Sequence, residues 1–206
     1  MGDDSVIPDF IYQELIGPYG ADTLRKLGQI ERYYSIYEHG ARFEVDKSGD
    51  YVPAVLPSKQ IKKLIRREAQ FLFGKTPEFR VSCPEEAKTE NARKNETAMQ
   101  NFLNTVLTKN RWPDKLIKGA RDCFIGAKVA LKLNIADDHI GVVFAPADGF
   151  VYETAIDDVD VIQRIVFFFT MQDDEDRTRQ RIWVQKYRME NGKCLLDEKI
   201  TDGYGQ

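Results

Sequence analysis

The fold class expected of this chain is α+β, with helices first and an antiparallel β meander after. Two observations predict it. Apolar residues recur at three- and four-residue intervals up to Ala127, and from Val129 onward the period falls to two. The strand-like stretches are joined by turn-forming residues rather than by helices, which points to antiparallel pairing.

Asp9 to Ile16 reads as a short helix stopped by Gly17-Pro18. Asp22 can cap a second, in which Leu24, Leu27, Ile30, Tyr34 and Tyr37 keep helical spacing until Gly40. Residues 41 to 57 have no clear period and include the turn-rich run Asp46-Lys47-Ser48-Gly49-Asp50. A third helix starts at Ser58, a good N-cap, with an apolar stripe of Ile61, Leu64, Ile65, Ala69 and Leu72. It ends at Gly74, and Phe79-Arg80-Val81 is a short extended segment. Pro84 suits the first position of a fourth helix, with Glu85 and Glu86 near its positive end and apolar residues at Met99, Phe102, Leu103, Val106 and Leu107. Trp112-Pro113-Asp114 breaks it, and Asp114 caps a last helix with the face Leu116, Ile117, Ala120, Cys123, Phe124 and Ala127.

Val129 to Ile135 alternates as a strand, Asp137-Asp138 makes a turn, and Ile140 to Phe144 is the partner strand. Val161 to Phe169 and Arg181 to Arg188 form a second pair around the acidic turn Asp173 to Asp176. Asn191-Gly192 is a strong hairpin signal leading into Cys194 to Ile200. The organisation is a mainly helical region over residues 1–110 and a helix with antiparallel strands over 111–206, together one unit.

Composition narrows the function classes. Hydrophobic residues are 42% and charged residues 31%, ordinary for a globular protein. Thirty basic against 33 acidic residues give a net charge of −3, so any contact with nucleic acid must come from a local patch. The longest apolar run, Ile165 to Phe169, is far short of a bilayer span, and Met1-Gly2-Asp3-Asp4 does not resemble a signal peptide. Cys83, Cys123 and Cys194 are far apart and read as reduced thiols. With only His39 and His139 present, a Cys/His zinc site is not expected. No membrane contact and no cofactor are expected.

Gly74-Lys75-Thr76 ends like a phosphate-binding P-loop, but Ala69 stands where the first glycine of that motif must be. The preceding stretch is a helix and Pro77 follows at once, so a helix stop is expected, with Gly74 left-handed and Lys75 near the negative end. The second half carries seven acids and no Lys or Arg between Asp137 and Asp160: Asp137, Asp138, Asp148, Glu153, Asp157, Asp158 and Asp160. Converging carboxylates could hold Mg²⁺ for phosphoryl transfer, but most sit at expected turns, where Asp bonds its own backbone. No Ser or Cys lies in a nucleophile motif such as G-x-S-x-G. Neither a catalytic nor a metal-binding residue is assigned, and a non-enzyme is expected.

Lys59, Lys62, Lys63, Arg66 and Arg67 share one helix face, and with Lys75 against Glu68 they give a local charge of +5. Such a face can be a solvated surface, or it can meet phosphate or an acidic surface on another subunit.

The order of segments resembles tailed-bacteriophage portal proteins of the Gram-positive phage type. "SKQIKKLIRREAQFLFGKTPEF" is similar to that family's helix with a Gly-Lys-Pro-like stop, and "RYYSIYEHGA" to its Tyr-Tyr helix and glycine loop. "LIKGARDCFIGAKVALKLNI" resembles its helix running into a strand, and "VFAPADGFVYETAIDDVDVIQRIVFFF" its following strand segments. The likeness runs from about Leu24 to Ile200; it departs at Thr76, where the family has Lys-Pro directly.

The resemblance implies the N-terminal, wing-like portion of a non-enzymatic structural protein of the virion. Family members are about twice as long, and their stem, clip and channel helices have no counterpart in these 206 residues. The implied partners are copies of itself in a ring of generally twelve, capsid and scaffold proteins, terminase, head-completion proteins and the viral DNA passing through the channel. Assembly in the host bacterial cytoplasm and residence at the portal vertex follow. A ring needs unlike patches that meet, and the basic face at Lys59 to Arg67 and the acidic run at Asp137 to Asp160 are such a pair. The alternatives are an intracellular nucleic-acid-binding or adaptor module using the basic helix 58–75 and, further off, a metal-dependent phosphoryl-transfer enzyme.

Overall fold

The computed structural model describes residues 20–41, 58–83, 89–135, 139–173, 176 and 180–202. Within them are four helices: α1 (Gly20–His39), α2 (Gln60–Phe73), α3 (Glu90–Lys109) and α4 (Trp112–Gly126). Six strands follow: β1 (Val129–Ile135), β2 (Ile140–Pro146), β3 (Phe150–Thr154), β4 (Ile162–Gln172), β5 (Gln180–Glu190) and β6 (Lys193–Asp202). The architecture is α+β, with the helices ahead of the antiparallel strands. By contacts the chain divides into two compact units, Met1–Ser35 with Ala145–Gln206, and Ile36–Phe144.

The first unit holds a four-stranded antiparallel meander in the order β3-β4-β5-β6. Register fixes its two faces. Val151 lies opposite Val166, Phe168 opposite Val184, and Thr170 opposite Ile182, so the apolar residues of β3, β4 and β5 share one side. Leu27 of α1 packs there in a buried cluster with Val151, Val166, Ile182 and Val184, and Phe168 lies against it. The other side is aromatic. Phe167 stands 6.0 Å from Phe150 and 5.9 Å edge-on from Tyr187, and Phe169 stands 6.2 Å from Trp183. The β5–β6 hairpin turns on Asn191 and Gly192 at φ of 51° and 74°, the left-handed pair that the Asn-Gly signal predicts.

The second unit packs α2 against α4 and carries the β1–β2 pair. Trp112 at the start of α4 meets Phe79 edge-on at 6.0 Å and Phe144 of β2 at 5.8 Å. Gly119 lets this strand approach, since a Cβ there would sit 3.0 Å from ring carbons of Phe144. Asn110, buried at the α3–α4 junction, donates from Nδ2 to the carbonyls of Val106 (2.8 Å) and Ile140 (2.6 Å). Its Oδ1 accepts from the Val142 amide (2.7 Å) and from Lys115 Nζ (2.9 Å), and Lys115 also donates to the Val142 carbonyl. A single amide therefore joins two helices to the backbone of β2.

Several local expectations are corrected. Asp22 does not cap α1, which starts at Gly20; it sits in the first turn, paired with Arg25 (2.7 Å) and Lys26 (2.6 Å). Ser58 bridges to Ala41, and the residue before α2 is Lys59, with no side-chain cap. Gly74 is right-handed (φ −62°, ψ −27°), not left-handed. Glycine is needed there because a Cβ would meet the Gln70 carbonyl oxygen at 2.8 Å. The helix that carries Met99, Phe102, Leu103, Val106 and Leu107 begins at Glu90, where Thr89 is an extended N-cap whose hydroxyl accepts the Ala92 amide at 3.2 Å; Pro84, Glu85 and Glu86, expected to open it, lie outside the described residues. Asp114 is inside α4, where it pairs with Arg111 at 2.6 Å; the break falls at Arg111, left-handed at φ 50°. β3 has no counterpart among the expected strands, which ran from Phe144 directly to Val161. The helix at Asp9 to Ile16, the loop at Asp46 to Asp50 and the turn at Asp137-Asp138 lie outside the described residues.

Candidate assembly interface

Helix α2 was expected to turn Ile61, Leu64, Ile65, Ala69 and Leu72 inward and its five cations outward. It is rotated from that orientation. Ala69 is buried and Ile65 half-buried, but Leu64 is 59% exposed, Leu72 56% and Ile61 42%; Phe71, between them on the same side, is 87% exposed. The inward positions include one of the cations, Lys62, and Arg66 reaches back from an exposed position. Lys62 Nζ lies 5.1 Å over the Tyr37 ring and forms an ion pair with Glu38, while Arg66 Nε donates to the Tyr37 hydroxyl at 3.4 Å. Lys62 beside Glu38 holds that carboxyl below its ordinary range.

The end of α1 explains the rotation. It offers a ring face, a hydroxyl and a carboxylate, three groups that bind cations and can do nothing comparable for leucine. Ala69 then permits close approach of α4 without a large side chain at the crossing. The five-residue basic face thus splits. Lys62, half-buried, and Arg66, itself exposed, bond to the end of α1, and Lys59, Lys63 and Arg67 stand exposed.

Strand β1 repeats the pattern. Its alternation is clear, yet Leu131, Leu133 and Ile135 are exposed, and Lys132 on the other side is buried. Large apolar side chains thus stand at helical and at strand spacing on open faces of this unit.

The acidic residues do not converge on a site. Among the described residues, no group of three or more His, Cys, Asp and Glu side chains is placed to hold a metal ion. Glu153 pairs with Arg164 across the β3–β4 register. Asp158 Oδ1 accepts the Asp160 amide at 2.9 Å, and Asp157, Asp158 and Asp160 are exposed in the β3–β4 connection. Asp148 lies at a half-buried position, and burial with the Asp148 charge raises the Glu31 carboxyl. Asp137 and Asp138 are outside the described residues. Of the acidic run Asp173 to Asp176, Asp173 is buried and pairs with Arg181 at 2.7 Å, and Asp174 and Glu175 lie outside the described residues.

A groove of about 610 Å³ runs between the extended segment after α2 and helix α3, lined by Phe79, Arg80, Val81, Glu96, Gln100 and Asn104 among others. Gln100 holds that segment as a strand neighbour would. Its Oε1 accepts the Val81 amide at 2.7 Å, and its Nε2 donates to the Phe79 carbonyl at 3.0 Å.

Asp122 of α4 carries no distinguishing signal in the sequence. It is buried, with Arg121 at 3.5 Å. Burial pushes its carboxyl above the ordinary 3.8, against the downward pull of Arg121 and Lys118. The folded chain therefore holds this proton to higher pH than the unfolded chain does, and the contribution of Asp122 to stability falls as pH rises through that window. Asp122→Asn is expected to gain on the native chain as pH rises from 3.5, levelling once the native carboxyl is ionised. Urea midpoints of both proteins across pH 3.5–7 check it, and a pH-independent difference contradicts it.

Neither a protein-family model nor a curated protein sequence matches this chain.

Proposed function

We propose that this chain is a structural subunit, the wing-like N-terminal part of a tailed-phage portal protein, which works by assembling with copies of itself rather than by catalysis. The observation that carries the reading is the apolar surface of α2 and β1, where Leu64, Phe71, Leu72, Leu131, Leu133 and Ile135 are exposed on faces with the periodicity of a core. A single copy leaves these residues in water, at roughly 25 cal/mol for each Å² of apolar surface that an assembly would cover. The resemblance along 24–200 supplies the kind of assembly: a ring at one capsid vertex, with capsid, scaffold, terminase and head-completion proteins as neighbours and viral DNA passing through. Terminase, a separate protein, hydrolyses the ATP in that scheme.

The same exposed cations Lys59, Lys63 and Arg67 would serve the alternative, a nucleic-acid-binding module, and one comparison separates the two. Concentrated protein examined by negative-stain electron microscopy is expected to show closed annular particles, with duplex DNA in a gel shift retained no better than by other proteins of this charge. Dispersed single copies that bind duplex DNA with a steep loss of affinity as salt rises would overturn the portal reading in favour of the module.

A further inference from the structure

The β3–β4 connection is built to present two apolar side chains. Its base is closed by the Ala155 amide donating to the Val161 carbonyl at 2.8 Å, and its turn by the Val161 amide to the Asp158 carbonyl at 3.2 Å and the Asp160 amide to Asp158 Oδ1 at 2.9 Å. Within this bonded frame Ile156 is 98% exposed and Val159 76%. Three carboxylates, Asp157, Asp158 and Asp160, alternate with them. An Asx-braced turn commonly exposes polar residues; one that holds Ile and Val in water is shaped for an apolar partner.

Helix α2 has the complementary makeup. Its exposed stripe from Ile61 to Leu72 runs about 16 Å at 1.5 Å per residue, and the exposed Arg67 and Lys63 follow it round the helix. One surface is apolar with acidic neighbours and the other apolar with basic neighbours, and every chain carries both. Two unlike patches that complement each other give a head-to-tail contact, which closes into a ring or runs on as a filament according to its rotation.

We infer that the β3–β4 connection of one copy docks on the exposed stripe of α2 in the next, with Ile156 and Val159 against Leu64 and Phe71 and the three aspartates facing Lys63 and Arg67. The inference rests on the self-assembly reading above and assigns that assembly its contact. Lys62 and Arg66 take no part, being held by Tyr37 and Glu38.

Charge exchange tests it. One variant carries Lys63→Glu with Arg67→Glu, and a second carries Asp157→Lys with Asp158→Lys; all four sites are exposed and distant from the buried clusters, and circular dichroism checks that both variants fold. Each alone faces like charges across the contact and is expected to associate at least about tenfold more weakly than the native chain in sedimentation equilibrium at low salt. An equimolar mixture pairs opposite charges at both kinds of contact and is expected to recover native association within about threefold, and Ile156→Ser with Val159→Ser is expected to lose association even at high salt. Native-like association of either charge variant alone, or a mixture no stronger than its parts, overturns the assigned contact. If the native chain forms rings that the exchange does not alter, the contact fails while the portal reading stands; if the mixture recovers association but no rings are seen, the reverse holds.

Discussion

Leu27→Ala is expected to destabilise the first unit by about 2–5 kcal/mol, the cost of removing a fully buried leucine and leaving a cavity. Leu27 is 1% exposed and is the side chain through which α1 reaches the sheet, touching the cluster of Val151, Val166, Ile182 and Val184. The strand residues around it are β-branched and fixed by register, so they cannot swing in to fill the space. Urea unfolding read through Trp183, in a Trp112→Phe background, isolates this unit. A loss under about 1 kcal/mol would show that the sheet holds together without α1.

Asn110→Leu is expected to cost the second unit about 2–5 kcal/mol, because it strands the Val142 amide and the Ile140 carbonyl and leaves Lys115 Nζ without its Oδ1 partner. Leucine keeps the branching of asparagine but is bulkier, so Asn110→Asp, which preserves size, is the variant that separates lost hydrogen bonding from altered packing. Asn110→Asp is expected to fall between the native chain and Asn110→Leu, since a carboxylate can still accept from Val142 and Lys115 but meets the carbonyls of Val106 and Ile140 with an acceptor. Trp112 fluorescence in a Trp183→Phe background reports the change. Equal stability of all three proteins would remove Asn110 from its place as the junction of α3, α4 and β2.

What the sequence made legible was whatever local periodicity and turn chemistry decide. The β1 bounds, the Asn191-Gly192 hairpin and the long β4–β5–β6 strands follow from alternation and from φ-positive residues, and the helices follow from their spacing. β3 was lost because Phe150 to Thr154 is five residues long and lies in an acid-rich stretch that turn propensity also explains. Thr89 was hidden behind Pro84, a more conspicuous start signal. The orientation of α2 was beyond any reading of the helix alone. Its stripe and its cations are both amphipathic halves, and the choice between them is made by Tyr37 and Glu38, which precede it by more than twenty positions in the sequence. For the same reason the candidate interface was half visible: the five cations were found by charge, but that Lys62 and Arg66 bond to the end of α1 while Phe71 and Leu64 face outward required the tertiary partners.

The claim on which the account turns is that the exposed stripe of α2 is an assembly surface. Sedimentation velocity of the chain over a wide concentration range, beside Leu64→Ser with Phe71→Ser, tests it most directly. These two side chains are largely solvent-exposed in the single copy, so their replacement leaves the fold intact. The native sedimentation coefficient is expected to rise with concentration while the double variant stays at the monomer value. A native chain that remains monomeric throughout, or a variant that associates as the native chain does, would contradict it.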